Sequence, residues 1–133
     1  MSLQPINPEA LGAPKGYANG ILAPAGGKLL FVAGQVGWDK DHRIVSMKFP
    51  QQFEQALSNV MAVVRAAGGS PPRVARLTIY VTDRQLYLAS LEDVGDAYRR
   101  VMGRHYPAMA LLEVKALLEP GALVEIEATA VLP

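Results

Sequence analysis

The chain has 133 residues, half of them hydrophobic and 19% charged, which is one domain's worth of sequence, too apolar for a disordered segment and without collagen-like or mucin-like bias. Thirteen Lys plus Arg against twelve Asp plus Glu leave a formal charge of +1, so no general field draws in nucleic acid, an anionic membrane or acidic substrates. The absence of cysteine excludes a disulfide framework, a thiolate nucleophile and a Cys-ligated zinc, and is compatible with a reducing compartment.

From the N-terminus, Met1 to Leu11 shows neither a basic n-region nor an apolar h-region, and Pro5, Pro8 and Glu9 interrupt it, so no signal peptide is expected. The longest apolar stretches, such as Ala108 to Leu112, fall far short of the roughly 20 residues of a membrane span. A soluble, cytoplasmic protein is the expectation.

Tyr17 to Ala25 and Lys28 to Gln35 are two extended segments separated by Gly26-Gly27, a dipeptide that accepts the positive φ of a tight turn, which predicts a β-hairpin. Leu29 to Ala33 is apolar on both sides, as in a strand covered on two faces. Asp39 to His42 reads as a polar turn, with a short return strand over Arg43 to Ser46.

From Pro50 the period changes. Phe53, Leu57, Val60, Val64 and Ala67 recur at steps of three and four, the pattern of an amphipathic helix that Pro50 opens and Gly68-Gly69 with Pro71-Pro72 ends. Arg73 to Thr82 alternates Ala75, Leu77, Ile79 and Val81 against Arg76, Thr78 and Tyr80, which is the signature of a strand. A second helix carries Leu91, Val94, Tyr98 and Val101 on one stripe, with Ser90 and Asp93 as a capping pair and Gly103 as terminator. Two strands follow, Met109 to Ala116 and Leu123 to Leu132.

This order, β-β-(β)-α-β-α-β-β, predicts one α+β domain over residues 1–133, an α/β sandwich with a mixed sheet and two helices on one face. The other face is assigned Tyr80, Met109 and Leu111 beside Arg76, Glu113, Lys115, Glu125 and Glu127. That mixture is too apolar for a solvated face and too charged for a monomer core, so it predicts packing against other copies of the chain, with polar residues lining clefts between subunits.

The sequence holds no G-x-S-x-G, no G-x-x-x-x-G-K-[ST] and no H-E-x-x-H, so the common hydrolase, nucleotide and zincin motifs are missing. Gly34-Gln35-Val36-Gly37 lacks the third glycine and the following helix of a phosphate loop, and reads as a close backbone approach or bulge. His42 reads as a solvated turn residue. His105 reads as a surface or helix-end residue, a cleft role being the alternative. Neither has the spacing of a metal pair, so no metal is expected. Glu125 and Glu127 point the same way from the last strand, about 7 Å apart. A partly buried carboxylate there can act as a general acid or base near neutral pH, and ion pairing with Lys115 or Arg76 is the competing reading. Tyr17 either packs locally or covers a cleft.

Taken together, Gly16-Tyr17, Phe31-Val-Ala-Gly-Gln35, the helix with Gln52, Leu57, Asn59 and Val60, Ala66-Ala-Gly68, Val81-Thr-Asp83, Tyr106-Pro-Ala108 and Val124-Glu-Ile-Glu-Ala128 resemble the RidA/YjgF family, also called endoribonuclease L-PSP, over almost the whole chain. The resemblance implies a chorismate-mutase-like fold and a homotrimer with a central barrel of sheets, helices outside and three small-molecule clefts between subunits. It also implies cofactor-independent hydrolysis of imines and enamines to a keto acid and ammonia. In such proteins an Arg directly after the Pro-Ala dipeptide holds the substrate carboxylate, the first Glu of the E-I-E motif positions water, and the Tyr and the strand-end Gly help hold the ligand. The corresponding positions here are Met109, Glu125, Tyr17 and Gly34.

Met109 departs from that pattern. Replacing a bidentate Arg by Met removes about 3–6 kcal/mol of charge-assisted hydrogen bonding, on the order of 10²–10⁴-fold in carboxylate affinity. Leu111 makes the strand more apolar still. The expectation is a cleft for a neutral or apolar ligand, lined by Tyr17, Gly34, Met109 and Leu111, with Glu125 serving proton transfer or water positioning, unless Arg76 or Arg104 replaces the missing cation. A non-catalytic binding, regulatory or chaperone-like trimer is the alternative. Ribonuclease action, suggested by the family label alone, lacks a basic patch and a stacking platform.

Overall fold

In a computed structural model that describes residues 2–133, the chain forms a four-stranded sheet with helices on one face and a small two-stranded ribbon beside it. The ribbon pairs β1 (Gln4–Ile6) with β2 (Gly20–Leu22). The sheet is built from β3 (Lys28–Val36), β4 (Val74–Val81), β5 (Ala108–Glu113) and β6 (Val124–Leu132), in the spatial order β3-β6-β4-β5. Strand β6 runs antiparallel to both of its neighbours, and β5 runs parallel to β4. The helices are α1 (Phe49–Ala66), α2 (Arg84–Ala89) and α3 (Leu91–Met102). This is the mixed α+β architecture expected from the order of elements.

The core forms where the helical and strand periods meet. Phe53, Leu57, Val60 and Val64 of α1 and Val94, Ala97, Tyr98 and Met102 of α3 pack on Leu77, Ile79 and Val81 of β4 and Val124, Ile126 and Ala128 of β6. Each large apolar side chain so buried stabilises by about 1.5–3 kcal/mol. After α1, Gly68 takes a φ of +90°, and after α3, Gly103 takes +64°, the left-handed conformation that ends a helix cheaply only at glycine.

Polar residues of α1 fix it to the loops around the sheet. Gln52 is fully buried; its Nε2 donates to the carbonyls of Ser46 at 2.8 Å and Gly121 at 3.0 Å, and its Oε1 accepts from the Leu123 amide at 2.8 Å. Asn59 Nδ2 donates to the Val36 and Trp38 carbonyls. Gly37 lies so close to α1 that a Cβ there would meet the Gln52 carbonyl oxygen at 2.6 Å. The Gly34 to Gly37 segment is therefore a close backbone approach and a bulge, since the pairing of β3 with β6 shifts between Val32 and Gln35.

Several local expectations are corrected. The segment from Tyr17 to Ala25 is not the hairpin partner of Lys28 to Gln35: its paired portion, β2, joins β1, and β3 pairs with β6. Tertiary pairing overrides the Gly26-Gly27 turn signal. The return strand over Arg43 to Ser46 reduces to a single bridge between Trp38 and Ile44. The second helix is α3, with the expected bounds at Ser90 and Gly103 although Ser90 makes no side-chain capping bond, and it is preceded by an unexpected short helix, α2, capped by Asp83, whose side chain accepts from the Gln85 amide. Strand β5 stops at Glu113, short of Ala116.

The largest correction concerns which face β5 presents. Leu77 is in register with Met109 and Ile79 with Leu111. Residues side by side across a sheet point the same way, so Met109 and Leu111 lie on the helix-covered face, packed against the core. The open face carries Ala110 and Leu112 instead, beside Thr78 and Tyr80 of β4 and Glu125, Glu127 and Thr129 of β6. Phe31 and Leu29 of β3 are 73% and 61% exposed.

Candidate functional site

On the open face, Glu125 stands in register with Tyr80. Its carboxylate lies over Gly34, where a Cβ would meet Oε2 at 2.7 Å. Only glycine at position 34 leaves room for this placement, so the bulge in β3 and the Glu125 side chain are fitted to each other. Next along β6, Glu127 accepts a 2.6 Å hydrogen bond from the Tyr80 hydroxyl. That bond, with smaller contributions from desolvation and the Glu125 charge, raises the Tyr80 pKa above its ordinary value. Among the described residues the ion pairs are Arg99–Asp96 and Arg100–Glu54, so neither glutamate pairs with Arg76 or Lys115.

The other face holds a cleft of about 300 Å³ between α1, α3 and the start of β5. Met109, Phe53, Ile79 and Val94 supply its apolar surface, with Tyr98 and Tyr106 along one wall. Those two rings stack at 5.2 Å with planes 7° apart. The Tyr98 hydroxyl donates to the His105 carbonyl at 2.6 Å, and burial, followed by the neighbouring Tyr106, pushes its pKa well above the ordinary tyrosine value. It is a structural donor, fixed in its neutral form. His105 is structural too, its Nε2 lying 2.7 Å from the Val74 carbonyl. His42 turns at a φ of +58° and stacks on Trp38.

The segment before β2 crosses the cleft. Gly16 adopts a φ of +75°, and the Ala18 amide donates to the Pro107 carbonyl at 3.0 Å, in a parallel bridge with Ala108. This places Lys15 and Gly16 in the cleft lining and leaves Tyr17 39% exposed beside the start of β5. Tyr17 and Met109 are thus brought to one region. Gly34 and Glu125 are brought together at another, through the sheet from the first. Leu111 sits behind Met109, against the core.

Sequence reasoning did not identify Phe53, Gly95, Tyr98, Arg99 and Lys15 as neighbours of Met109. Tyr98 and Phe53 carry ordinary core periodicity, and nothing local shows that their outer edges border a cavity. Arg76, on the open face, and Arg104 are not among the residues lining this cleft, whereas Lys15 and Arg99 are.

Comparison with known proteins places the chain. The profile of the family described as Endoribonuclease L-PSP matches residues 8–132. The RutC family protein y4sK of Sinorhizobium fredii is 38% identical over 128 residues, covering 95% of each chain. The bovine 2-iminobutanoate/2-iminopropanoate deaminase is 30% identical over 125 residues, 93% of this chain and 83% of that one. In structure, the Rid family protein YyfB of Yersinia pestis, described as of unknown function, superposes with a TM-score of 0.87 at 33% identity, over 99% of this chain and 100% of that one. The chain belongs to the Endoribonuclease L-PSP family, the RidA/YjgF proteins.

Proposed function

We propose that the protein is a homotrimeric imine or enamine hydrolase, working without a cofactor, whose ligand lies between subunits and is not held by a carboxylate clamp at position 109. The observation that carries this reading is the Glu125 carboxylate, laid over Gly34 on the open face and unpaired with any cation among the described residues. Exposed Phe31, Leu29 and Leu112 surround that face, an apolar area of the kind subunit contacts cover. Relatives named as 2-iminobutanoate/2-iminopropanoate deaminases, at about 30% identity, support the reaction class.

In this reading Glu125 orients a water molecule toward the C=N carbon and takes its proton. The C–O bond forms, the C–N bond breaks, and an imine plus water becomes a carbonyl compound plus ammonia. Tyr17 and Gly34 border the ligand, and Met109, with Leu111 behind it, supplies apolar contact.

Ammonia release from an imine without a carboxylate, such as benzylimine generated in place by an amine oxidase, tests the reading. Acceleration over the uncatalysed rate, reduced about 10²-fold or more in Glu125→Gln, is the expected result for a lost general base. Saturable binding of the amine analogue with no acceleration would leave a binding module. A stable monomer in sedimentation at micromolar concentration would remove the intersubunit cleft.

A further inference from the structure

The two glutamates of β6 share one face, and Tyr80 treats them differently. Tyr80 stands directly opposite Glu125 across the pairing of β4 with β6, an arrangement that brings the two Cβ atoms about 4.5–5.5 Å apart. Its hydroxyl nevertheless passes over that neighbour and donates to Oε1 of Glu127, the diagonal one, at 2.6 Å. Glu125 leans the other way, over the space that Gly34 leaves in β3. Among the described residues its carboxylate accepts no hydrogen bond and forms no ion pair.

A hydrogen bond donated to a carboxylate stabilises its charged form and makes it a weaker base. On this face there is one tyrosine hydroxyl and there are two carboxylates within its range, and the hydroxyl is spent on Glu127. The Glu127 bond, first among its causes, also raises the Tyr80 pKa above its ordinary value, so the hydroxyl stays a donor throughout the neutral range.

We propose that Tyr80 and Glu127 are positioning residues for Glu125: Glu127 holds the Tyr80 hydroxyl away from the carboxylate opposite it, which leaves Glu125 an unbonded base over Gly34. A Tyr80 released from Glu127 turns to Glu125, its direct partner in the register. Donating there, it occupies an oxygen that would otherwise take the proton of water, and it draws the carboxylate off Gly34 toward β4. The inference rests on the reading of Glu125 as the base and gives the second glutamate of the strand its task.

The experiment compares full-length Glu127→Ala, Glu127→Gln and the double variant Glu127→Ala/Tyr80→Phe in benzylimine hydrolysis, with a crystal structure of Glu127→Ala as a readout independent of turnover. Glu127→Ala should lower kcat about tenfold with KM changed less than about twofold, and its Tyr80 hydroxyl should lie within hydrogen-bond distance of the Glu125 carboxylate. Adding Tyr80→Phe should return most of the lost kcat, because no hydroxyl remains to occupy the base, whereas a loss from packing alone would deepen in the double variant. Glu127→Gln keeps an acceptor oxygen for Tyr80 and should lose less than about threefold. Glu127→Met, which keeps the volume and lacks the acceptor, should behave as Glu127→Ala does, so a folding defect in one leaves the other to decide. A kcat loss that persists in the double variant, or a Tyr80 hydroxyl that stays clear of Glu125 once Glu127 is gone, overturns the inference. If hydrolysis depends on Glu125 while Glu127→Ala keeps the wild-type kcat, the inference falls and the proposed function stands. If hydrolysis does not depend on Glu125, both fall.

Discussion

Met109 and Glu125 leave the same sheet on opposite faces. Met109 on β5 is in register with buried Leu77 and borders the cleft under α3, while Glu125 on β6 is in register with Tyr80 on the open side. Strand β4 runs between them, so the two side chains are separated by about 10 Å laterally as well as by the thickness of the sheet. One small ligand cannot touch both within a single chain. A site that uses both positions has to be assembled from two copies, with the Met109 side of one facing the Glu125 side of another.

Gly34→Ala is expected to behave like a change at Glu125 itself. Its Cβ would press within 2.7 Å of the carboxylate oxygen, which must swing away. Benzylimine hydrolysis should fall by about tenfold or more with helix content by circular dichroism unchanged. Full activity would mean that the carboxylate has no fixed position to lose.

Met109→Arg tests why a 2-imino acid should be a poor substrate. The new guanidinium would enter the half-buried cleft near Arg99 and Lys15, and ammonia release from 2-iminopropanoate is expected to rise about tenfold or more. No gain would place the divergence elsewhere in the cleft.

Gln52→Ala should destabilise the fold by about 2–4 kcal/mol, because it strands the half-buried Leu123 amide and two loop carbonyls and leaves a void under α1. Chemical denaturation measures this directly. A loss below about 0.5 kcal/mol would mean that water replaces all three bonds of the amide.

The pair between Glu54 and Arg100 joins α1 to α3 through three hydrogen bonds, Nη2 to Oε1 at 2.6 Å and Nε to Oε2 and Oε1 at 3.1 and 3.2 Å. The Arg100 hydrogen bond lowers the Glu54 pKa below its ordinary value. A carboxylate whose folded pKa is depressed stabilises the fold above its unfolded pKa and loses that contribution as pH falls through the folded value. The stability difference between wild type and Glu54→Gln should therefore be present at pH 7, shrink as pH falls below the ordinary carboxylate range, and stay small throughout because the pair is exposed. A difference that does not change with pH would rule out this linkage.

Tyr98→Phe removes the 2.6 Å bond to the His105 carbonyl, at a cost of about 1 kcal/mol, while the ring stack with Tyr106 remains. Because this bond holds the Tyr106 wall, ligand affinity at the cleft should fall along with stability. Lower stability with unchanged affinity would make Tyr98 a core residue alone.

Local residue patterning settles the elements and the family. Residues Phe53 to Val64 have a helical period no strand can use, Arg73 to Thr82 alternate, Gly68 and Gly103 stop helices, and the dispersed Tyr106-Pro-Ala and Val-Glu-Ile-Glu-Ala segments carry the resemblance. It also placed Glu125 on the face opposite the helices, because its neighbours Val124 and Ile126 are the only apolar set there. Tertiary structure alone decided where Met109 and Leu111 point. Strand β5 is apolar on both sides, with Met109 and Leu111 alternating with Ala110 and Leu112, so the two-residue period separates the two sets without saying which one faces the helices. Only the register with Leu77 and Ile79 breaks that tie. The same holds for the lining of the cleft: Lys15 lies far in sequence from Gly95 and Arg99, and nonlocal packing of the Gly16 turn against β5 is what gathers them around one cavity.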